Sequence, residues 1–481
     1  MQIGTSQGVR EAEQRLFASG CMSSLELMNT VVERLWQACR QLPLMQGFAP
    51  ARVVVYAGTG NNAGDAIGLA ARWNVPVTLR CAGKLSPDAA AQLTGNEEET
   101  TPVPQENLLI IDGLLGSGAV GELRPVYAAL VRELNGLRAA SPRSLTLAVD
   151  IPTGLDAGTG ARGNDVVLAD VTAAIGCVKP GLLADGAEDA VGRLLGIPLP
   201  EVGEIPAVDA ARVTDAGELG PLVPRRAYSC FKNRAGRVAI VAGSVGMAGA
   251  AQMCAEAALA AGAGLVVLYC LPPVFPVLAA RVAPEIMVRP VGSYADIHEA
   301  GAQALVIGPG LGEIQPVAAE ALHRLASGFA GTVVLDADGL NTAAVCGWKP
   351  QPNWVLTPHP GEMRRLLPEV ACLGRRETVL RYLEQMPGTL LLKGARTLIA
   401  DARACFYNST GGPFMANGGQ GDVLAGVIGA LAAQGLAPLR AAVTGAYACG
   451  LAAERAWADS RYPHAIRATQ VIRFLPAILA G

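Results

Sequence analysis

The chain has 481 residues, enough for two or three domains at roughly 150 residues each. Lys+Arg number 38 and Asp+Glu 41, a formal charge of −3, and aromatic residues make up 5%, so neither a basic nucleic-acid surface nor a base-stacking platform is expected. With 51% hydrophobic and only 16% charged residues, disorder is excluded as the main state, and the 57 glycines follow no G-X-Y period.

A helical stretch runs from Val9 to about Gln41. Short apolar segments then alternate with helical ones: VVVYA (Val53–Ala57), VTLRC (Val77–Cys81), LLIID (Leu108–Asp112), LTLAVD (Leu145–Asp150) and VTAAIG (Val171–Gly176). Nearly continuous apolar strands separated by helices predict a parallel sheet covered on both faces. Between Pro198 and Pro224 the periodicity fades into a Pro- and Gly-rich stretch, read as a linker with a short covering element. A second alternation follows: RVAIVAG (Arg237–Gly243), LVVLYC (Leu265–Cys270), ALVIG (Ala304–Gly308), TVVLDAD (Thr332–Asp338), NWVLTP (Asn353–Pro358) and LLLKG (Leu390–Gly394). A long Ala-rich helical region, Gly421 to Ala458, closes the chain. The expected organisation is two α/β domains, residues 1–208 and 213–481, with ligands at the carboxyl ends of the parallel strands.

In the first half, strand Val53–Ala57 runs into GTGNNAGDA (Gly58–Ala66), where small residues let backbone approach a ligand and the helix start offers N–H groups to phosphate. Read alone, this is equally a tight turn capped by asparagines. Two further strands end in DGLLGSGAVGE (Asp112–Glu122) and DIPTGLD (Asp150–Asp156). Asn62, Asp112 and Thr153 are then hard oxygen donors on one rim, suited to a cation. Asp150 ends a buried strand, where desolvation is expected to raise its pKa toward that of an acid–base catalyst; an ordinary helix cap is the alternative.

These strings, with VKPGL (Val178–Leu182), resemble the epimerase domain of bifunctional NAD(P)H-hydrate repair enzymes, a Rossmann-like three-layer fold, over about residues 9–200. The resemblance implies that Asn61, Asn62, Ala63, Gly64 and Asp65, together with Gly116, Ser117, Gly118, Ala119, Val120, Gly121 and Glu122, hold the hydrated dinucleotide. It implies K⁺ on Asn62, Asp112 and Thr153, and a substrate-contacting, catalytic Asp150. The family usually has glycine where this chain has Ala63 and Ala66, so each added methyl is expected to narrow the room for phosphate.

In the second half the strongest segment is NGGQGDVLAGVIGAL (Asn417–Leu431): glycines that leave N–H groups bare, a helix N-terminus, and Asp422 at its mouth to accept a hydroxyl proton. The plainer reading is a glycine turn with Asp422 as N-cap. LKGART (Leu392–Thr397) suits a nucleotide, and LTPHPGEM (Leu356–Met363) offers His359 and Glu362, the latter for Mg²⁺, directly or through water. GSVGMAGAA (Gly243–Ala251), GPGLG (Gly308–Gly312) and DADGLN (Asp336–Asn341) complete the rim. This set resembles ADP-dependent NAD(P)H-hydrate dehydratase, of ribokinase-like fold, over about residues 213–475. The resemblance implies substrate contacts at Ala250, Gly310, His359 and Asp422, nucleotide contacts at Lys393, Gly394, Ala395, Arg396, Thr397 and Gly421, and ADP as co-substrate with Mg²⁺.

Two other readings stay open. The second domain could be a vitamin or sugar kinase beside a non-catalytic binding domain, because the fold and its glycine-aspartate loop are shared; or the first domain could be an RNA-associated scaffold. Eleven cysteines without a CxxC pair point to a reduced, cytoplasmic protein, and four histidines leave no room for a His-rich metal site. The polar N-terminus shows no signal peptide, and the charge-free run Ala257–Ala280 is broken by prolines and glycines, against a membrane span. A homo-oligomer is expected, with no nucleic-acid or membrane partner.

Overall fold

The computed structural model describes residues 1–98, 106–119, 121–299, 301–461 and 464–480, and divides into two compact units, Met1–Asp215 and Ala216–Gly481.

The first unit is built on a seven-stranded sheet. Its order is Glu97–Glu98, Val77–Cys81, Arg52–Ala57, Leu108–Gly113, Ser144–Val149, Val171–Ile175, Arg193–Ile197, and every neighbouring pair is parallel. The chain moves outward from Arg52–Ala57 and then returns to its other side at Leu108–Gly113, so the order reverses between these two strands. Loops diverge at such a switch point and leave a crevice. The central strands are buried along nearly their whole length, which is why they read as unbroken apolar runs. Each fully buried Val, Ile or Leu contributes about 2 kcal/mol.

The expected single N-terminal helix is two helices, Ser6–Ala18 and Ser24–Gln41. Gly20, at φ +70°, breaks the first, and a Ser23–Glu26 capping box starts the second. Ala207–Val213, inside the segment read as a linker, is a strand antiparallel to Gln2–Gly4. Its exposed positions, Ala207, Val208, Ala210 and Arg212, do not alternate with buried apolar ones through the whole strand, and its pairing partner lies some 200 residues away in sequence, so local periodicity carries no trace of it.

In the second unit the sheet order is Cys405–Tyr407, Leu398–Ala400, Thr389–Leu392, Trp354–Leu356, Thr332–Leu335, Ala304–Ile307, Arg237–Val241, Leu265–Cys270, Ile286–Pro290. Leu398–Ala400 is antiparallel to both of its neighbours, Cys405–Tyr407 and Thr389–Leu392, and every other neighbouring pair is parallel. Here the order reverses between Arg237–Val241 and Ala304–Ile307, and their loops meet: Gly243 N–H donates to Pro309 O at 2.9 Å, and Ser244 Oγ to Gly310 O at 3.0 Å. The Ala-rich C-terminal region is split into Gln420–Ala433 and Pro438–Asp459 by Gly435, at φ +98°, and by Pro438. Ala257–Ala280 is a helix end, a strand and most of a second helix, and among the described residues no helix is long and apolar enough to cross a membrane.

Candidate active sites

The crevice of the first unit is set by close approach of two loops. A Cβ on Gly58 would lie 1.8 Å from Leu114 O, so only glycine allows the loop after Arg52–Ala57 to pass the loop after Leu108–Gly113. Helix Asn61–Ala71 starts there without a side-chain cap, leaving its first N–H groups open. Asn62 faces the crevice: a Cβ on Gly116 would stand 3.5 Å from Asn62 Cγ and 3.5 Å from Asp150 Oδ2.

Asp150 holds a left-handed backbone, φ +67°, rare for a non-glycine residue and directed here by its ties on every side. Its Oδ2 accepts from Ser117 N–H at 2.9 Å, and its Oδ1 from Ile175 N–H at 3.3 Å and from Lys179 Nζ. Lys179, 1% exposed, also donates to Ile175 O at 2.7 Å. The expected rise in the Asp150 pKa is therefore overturned. Burial pushes it up, but the Lys179 charge and the hydrogen bonds from Lys179 and Ser117 outweigh burial and hold it below the ordinary carboxylate value. Lys179 was visible in VKPGL only as a motif letter; a lysine following a buried apolar strand was the available signal.

Other carboxyls in the crevice move the opposite way. Asp65, 8% exposed, makes no hydrogen bond among the described residues, and burial followed by the charges of Asp150 and Glu13 raises its pKa well above the usual range. Glu13, on the first helix, is raised by burial and then by Asp150. Asp112 is fully buried and bound to Thr153: Thr153 N–H and Oγ1 donate at 2.8 Å, and Leu114 N–H at 3.1 Å. Burial lifts Asp112 to about 6 in spite of these bonds. Gly118 and Ala119 are in the open part of the loop, Gly121 has φ +84°, Glu122 is exposed, and Val120 lies outside the described residues. Ala63 and Gly64 turn inward, with Gly64 packed on Met28. Ala66 is also fully buried, with its Cβ against Gly113. Both alanines are thus covered by protein atoms, with the Ala66 methyl facing strand Leu108–Gly113.

In the second unit four charged groups converge. Lys393 Nζ donates to Asp336 Oδ1 at 2.7 Å and lies 3.8 Å from Glu362 Oε2; Thr357 Oγ1 donates to the same Asp336 oxygen at 2.8 Å. A Cβ on Gly421 would meet Lys393 Nζ at 3.3 Å and Asp336 Oδ2 at 3.5 Å, so Gly421 brings the start of helix Gln420–Ala433 onto this pair. Asp422 is in the first turn, yet the N-cap is Gly419 and no side chain caps the helix, so Asp422 is no cap. Burial, then the charge of Asp336, drives the Asp422 pKa up to about 7, with Lys393 opposing. Ala337, at φ +47°, bends the chain between Asp336 and Asp338, and Asp338 Oδ2 accepts from Gly312 N–H at 2.8 Å.

His359 is the N-cap of helix Pro360–Leu366: its Nδ1 accepts from Gly361 N–H at 2.9 Å and Glu362 N–H at 3.3 Å, while Glu362 Oε2 accepts from His359 N–H at 2.8 Å. Its Nε2 lies on the half-exposed side of the ring, 3.5 Å from Glu362 Oε1. Gly310, φ +62°, lies where a Cβ would come 3.0 Å from Ala250 Cβ, so these two are neighbours at the switch point. Gly394 and Ala395 are exposed, Thr397 Oγ1 donates to Gly394 O at 3.0 Å, and Arg396 turns inward, 4% exposed. Lys393 and Gly421 join Asp422 directly. Asp336, Asp338 and Thr357 are the residues that sequence reasoning left without a role; all follow strand ends in the quoted loops.

Two α/β units, each with polar side chains converging at a switch point and one with a glycine-lined helix start beside an unpaired carboxylate, define a two-site enzyme of nucleotide chemistry. Residues 24–181 match the family model for the YjeF-related protein N-terminus, and residues 238–477 the model for NAD(P)H-hydrate dehydratase. The chain is 34% identical over 474 residues to the bifunctional NAD(P)H-hydrate repair enzyme Nnr of Coxiella burnetii, covering 93% of each chain. It is 37% identical over 473 residues to the corresponding enzyme of Escherichia coli, covering 93% of this chain and 87% of that one. A ribokinase-like superfamily protein of Enterococcus faecalis superposes with a TM-score of 0.51 at 26% identity, covering 58% of this chain and 98% of that chain. The chain belongs to the family of bifunctional NAD(P)H-hydrate repair enzymes, with an epimerase domain followed by a ribokinase-like dehydratase domain.

Proposed function

We propose that the two activities divide between the two sites as follows. At the first, Asp150 is the general base and substrate contact for exchange of R- and S-NAD(P)HX. The carrying observation is the buried Lys179–Asp150 pair, with one carboxylate oxygen still turned to Gly116 and Asn62. Lys179 keeps Asp150 ionised, ready to take the hydroxyl proton of the hydrated ring; Asn61 to Asp65 and Gly116 to Glu122 hold the dinucleotide. A fully buried Asp112 with no cationic side chain among its hydrogen-bond partners, beside the Thr153 hydroxyl, fits a monovalent cation. Asn62, Asp112 and Thr153 would hold K⁺, which supplies the countercharge that the buried carboxylate lacks.

At the second site, S-NAD(P)HX loses water at the expense of ADP. Asp422 takes the proton from the C6 hydroxyl as that oxygen attacks the terminal phosphoryl group of ADP, and AMP leaves. Electrons from the ring nitrogen then expel phosphate from C6, C5 gives up a proton, and NAD(P)H is restored. The open N–H groups at Gly419 to Gly421 and the Lys393 ammonium stabilise the phosphoryl group in flight. Ala250, Gly310 and His359 contact the hydrated dinucleotide; Lys393 to Thr397 and Gly421 contact the nucleotide. Glu362 would hold Mg²⁺ through water, since its carboxylate is already engaged by His359 N–H and Lys393. The eleven thiols form no disulfide, in keeping with a reducing cytoplasm.

The test uses full-length protein with each epimer separately. Asp422→Ala should stop NADH production from S-NADHX with ADP while R/S exchange continues. Asp150→Asn should stop exchange and leave dehydration of S-NADHX intact. Retained dehydration in the first variant, or retained exchange in the second, would refute the corresponding half. A stable phosphorylated product would indicate a kinase instead.

A further inference from the structure

Helix Ser6–Ala18 lies before the segment matched by the N-terminal family model, yet it forms part of the first site. Residues three apart in a helix share a face. Glu13 meets the Asp150–Lys179 pair, close enough for both charges to act on it. One turn earlier on the same face, Arg10 reaches the loop that begins at Gly116. Its Nη1 stands 2.9 Å from the position a Cβ would take on Gly118, and nothing else lies within 4 Å of that position. Arg10 is exposed, and among the described residues it makes no hydrogen bond and no close ion pair, although Glu13 feels its charge.

A guanidinium laid over a glycine loop without a carboxylate to satisfy it has its donors free for a ligand. Loop N–H groups and an arginine fork together recognise phosphate oxygens, and the substrate carries them. We propose that Arg10 is a phosphate-binding residue of the epimerase site, clamping a phosphate of the hydrated dinucleotide against the Gly116–Ala119 turn. The glycine at 118 follows from this role, since a side chain there would displace the guanidinium. The inference rests on the epimerase reading of this site. The phosphate is either the pyrophosphate bridge common to both substrates or the 2′-phosphate of NADPHX alone.

The experiment measures R-to-S exchange of NADHX and NADPHX by the full chain carrying Arg10→Ala, Arg10→Lys or Gly118→Ala, at low salt. Melting curves of the same preparations check that the first unit of each variant is folded. Arg10→Ala should raise KM about 10-fold with kcat little changed, the size of one lost charge-assisted contact at a partly solvated site. Arg10→Lys should recover part of the loss, and Gly118→Ala should move KM in the same direction by a smaller factor. An equal rise for both substrates assigns the pyrophosphate, and a rise confined to NADPHX assigns the 2′-phosphate. Unchanged KM for both substrates in Arg10→Ala, or a loss in kcat alone, would overturn the proposal. Exchange that persists in Asp150→Asn would instead defeat the epimerase reading beneath it.

Discussion

Asp150 follows a strand and Asp422 lies in the first turn of a helix, and their surroundings push their pKa values apart. Lys179 and Ser117 hold Asp150 ionised, whereas burial and Asp336 bring Asp422 to about 7. If Asp422 must be ionised to accept a proton, kcat/KM for dehydration should rise about tenfold per pH unit below 7 and level off above it. Measurement from about pH 5.5 to about 8.5 checks this, and a flat profile in wild type would remove Asp422 as the base. The same shift has a stability consequence. The folded pKa lies above the unfolded value of 3.8, so between the two the folded state keeps a proton that the unfolded chain has released. Stability from this group is therefore lost as pH climbs toward 7. Asp422→Asn should stabilise the protein by on the order of 2 kcal/mol above pH 7 and by little near pH 4. Melting curves at the two pH values decide it. At Asp112 the expected effect is ionic: K⁺ should raise the melting temperature of the wild type more than Na⁺ does, and Asp112→Asn should erase that difference.

At the scale of elements, the second site depends on how closely helix Gln420–Ala433 crosses helix Ala248–Ala260. A Cβ on Gly426 would sit 2.1 Å from Cys254 O, a backbone atom that cannot rotate away. Gly426→Ala should force the helices apart at a cost of about 3 kcal/mol and lift Asp422 off the Lys393–Asp336 pair. Lower thermal stability together with lost dehydration is the expected result. Gly429, which faces Val306 on the sheet, should be milder because a side chain can repack. Most of these elements were legible in the sequence, since buried parallel strands show as apolar runs and their loops carry the polar residues. The strand Ala207–Val213 was not, because the pairing with Gln2–Gly4 joins residues some 200 apart in sequence. Nor was the break between the two C-terminal helices read from the Ala-rich stretch: Ala and Leu favour helix on either side, and the boundary lies in Gly435 and Pro438 alone.

For the molecule as a whole, the two sites stand in separate compact units, each with its own set of parallel strands and its own switch point. The proposed reactions share a freely diffusing intermediate, S-NAD(P)HX. An equimolar mixture of Asp150→Asn and Asp422→Ala chains with ADP should therefore convert an R/S mixture completely to NADH, while Asp422→Ala alone yields none and Asp150→Asn alone stops when the S epimer is exhausted. Incomplete conversion by the mixture would mean that the intermediate must pass within one chain.

The amino-acid order by itself determined the two α/β halves, the family, and which loops carry chemistry, because apolar runs and glycine-rich turns are local signals. Only the tertiary structure decided the charge state at each loop. Lys179 comes to Asp150 from the end of the next strand, Lys393 reaches Asp336 across 57 residues, and helix Ser6–Ala18 brings Arg10 and Glu13 to a crevice more than 100 residues downstream. It also buried Ala63 and Ala66. Electrostatics depends on distance and burial in space, and sequence spacing encodes neither.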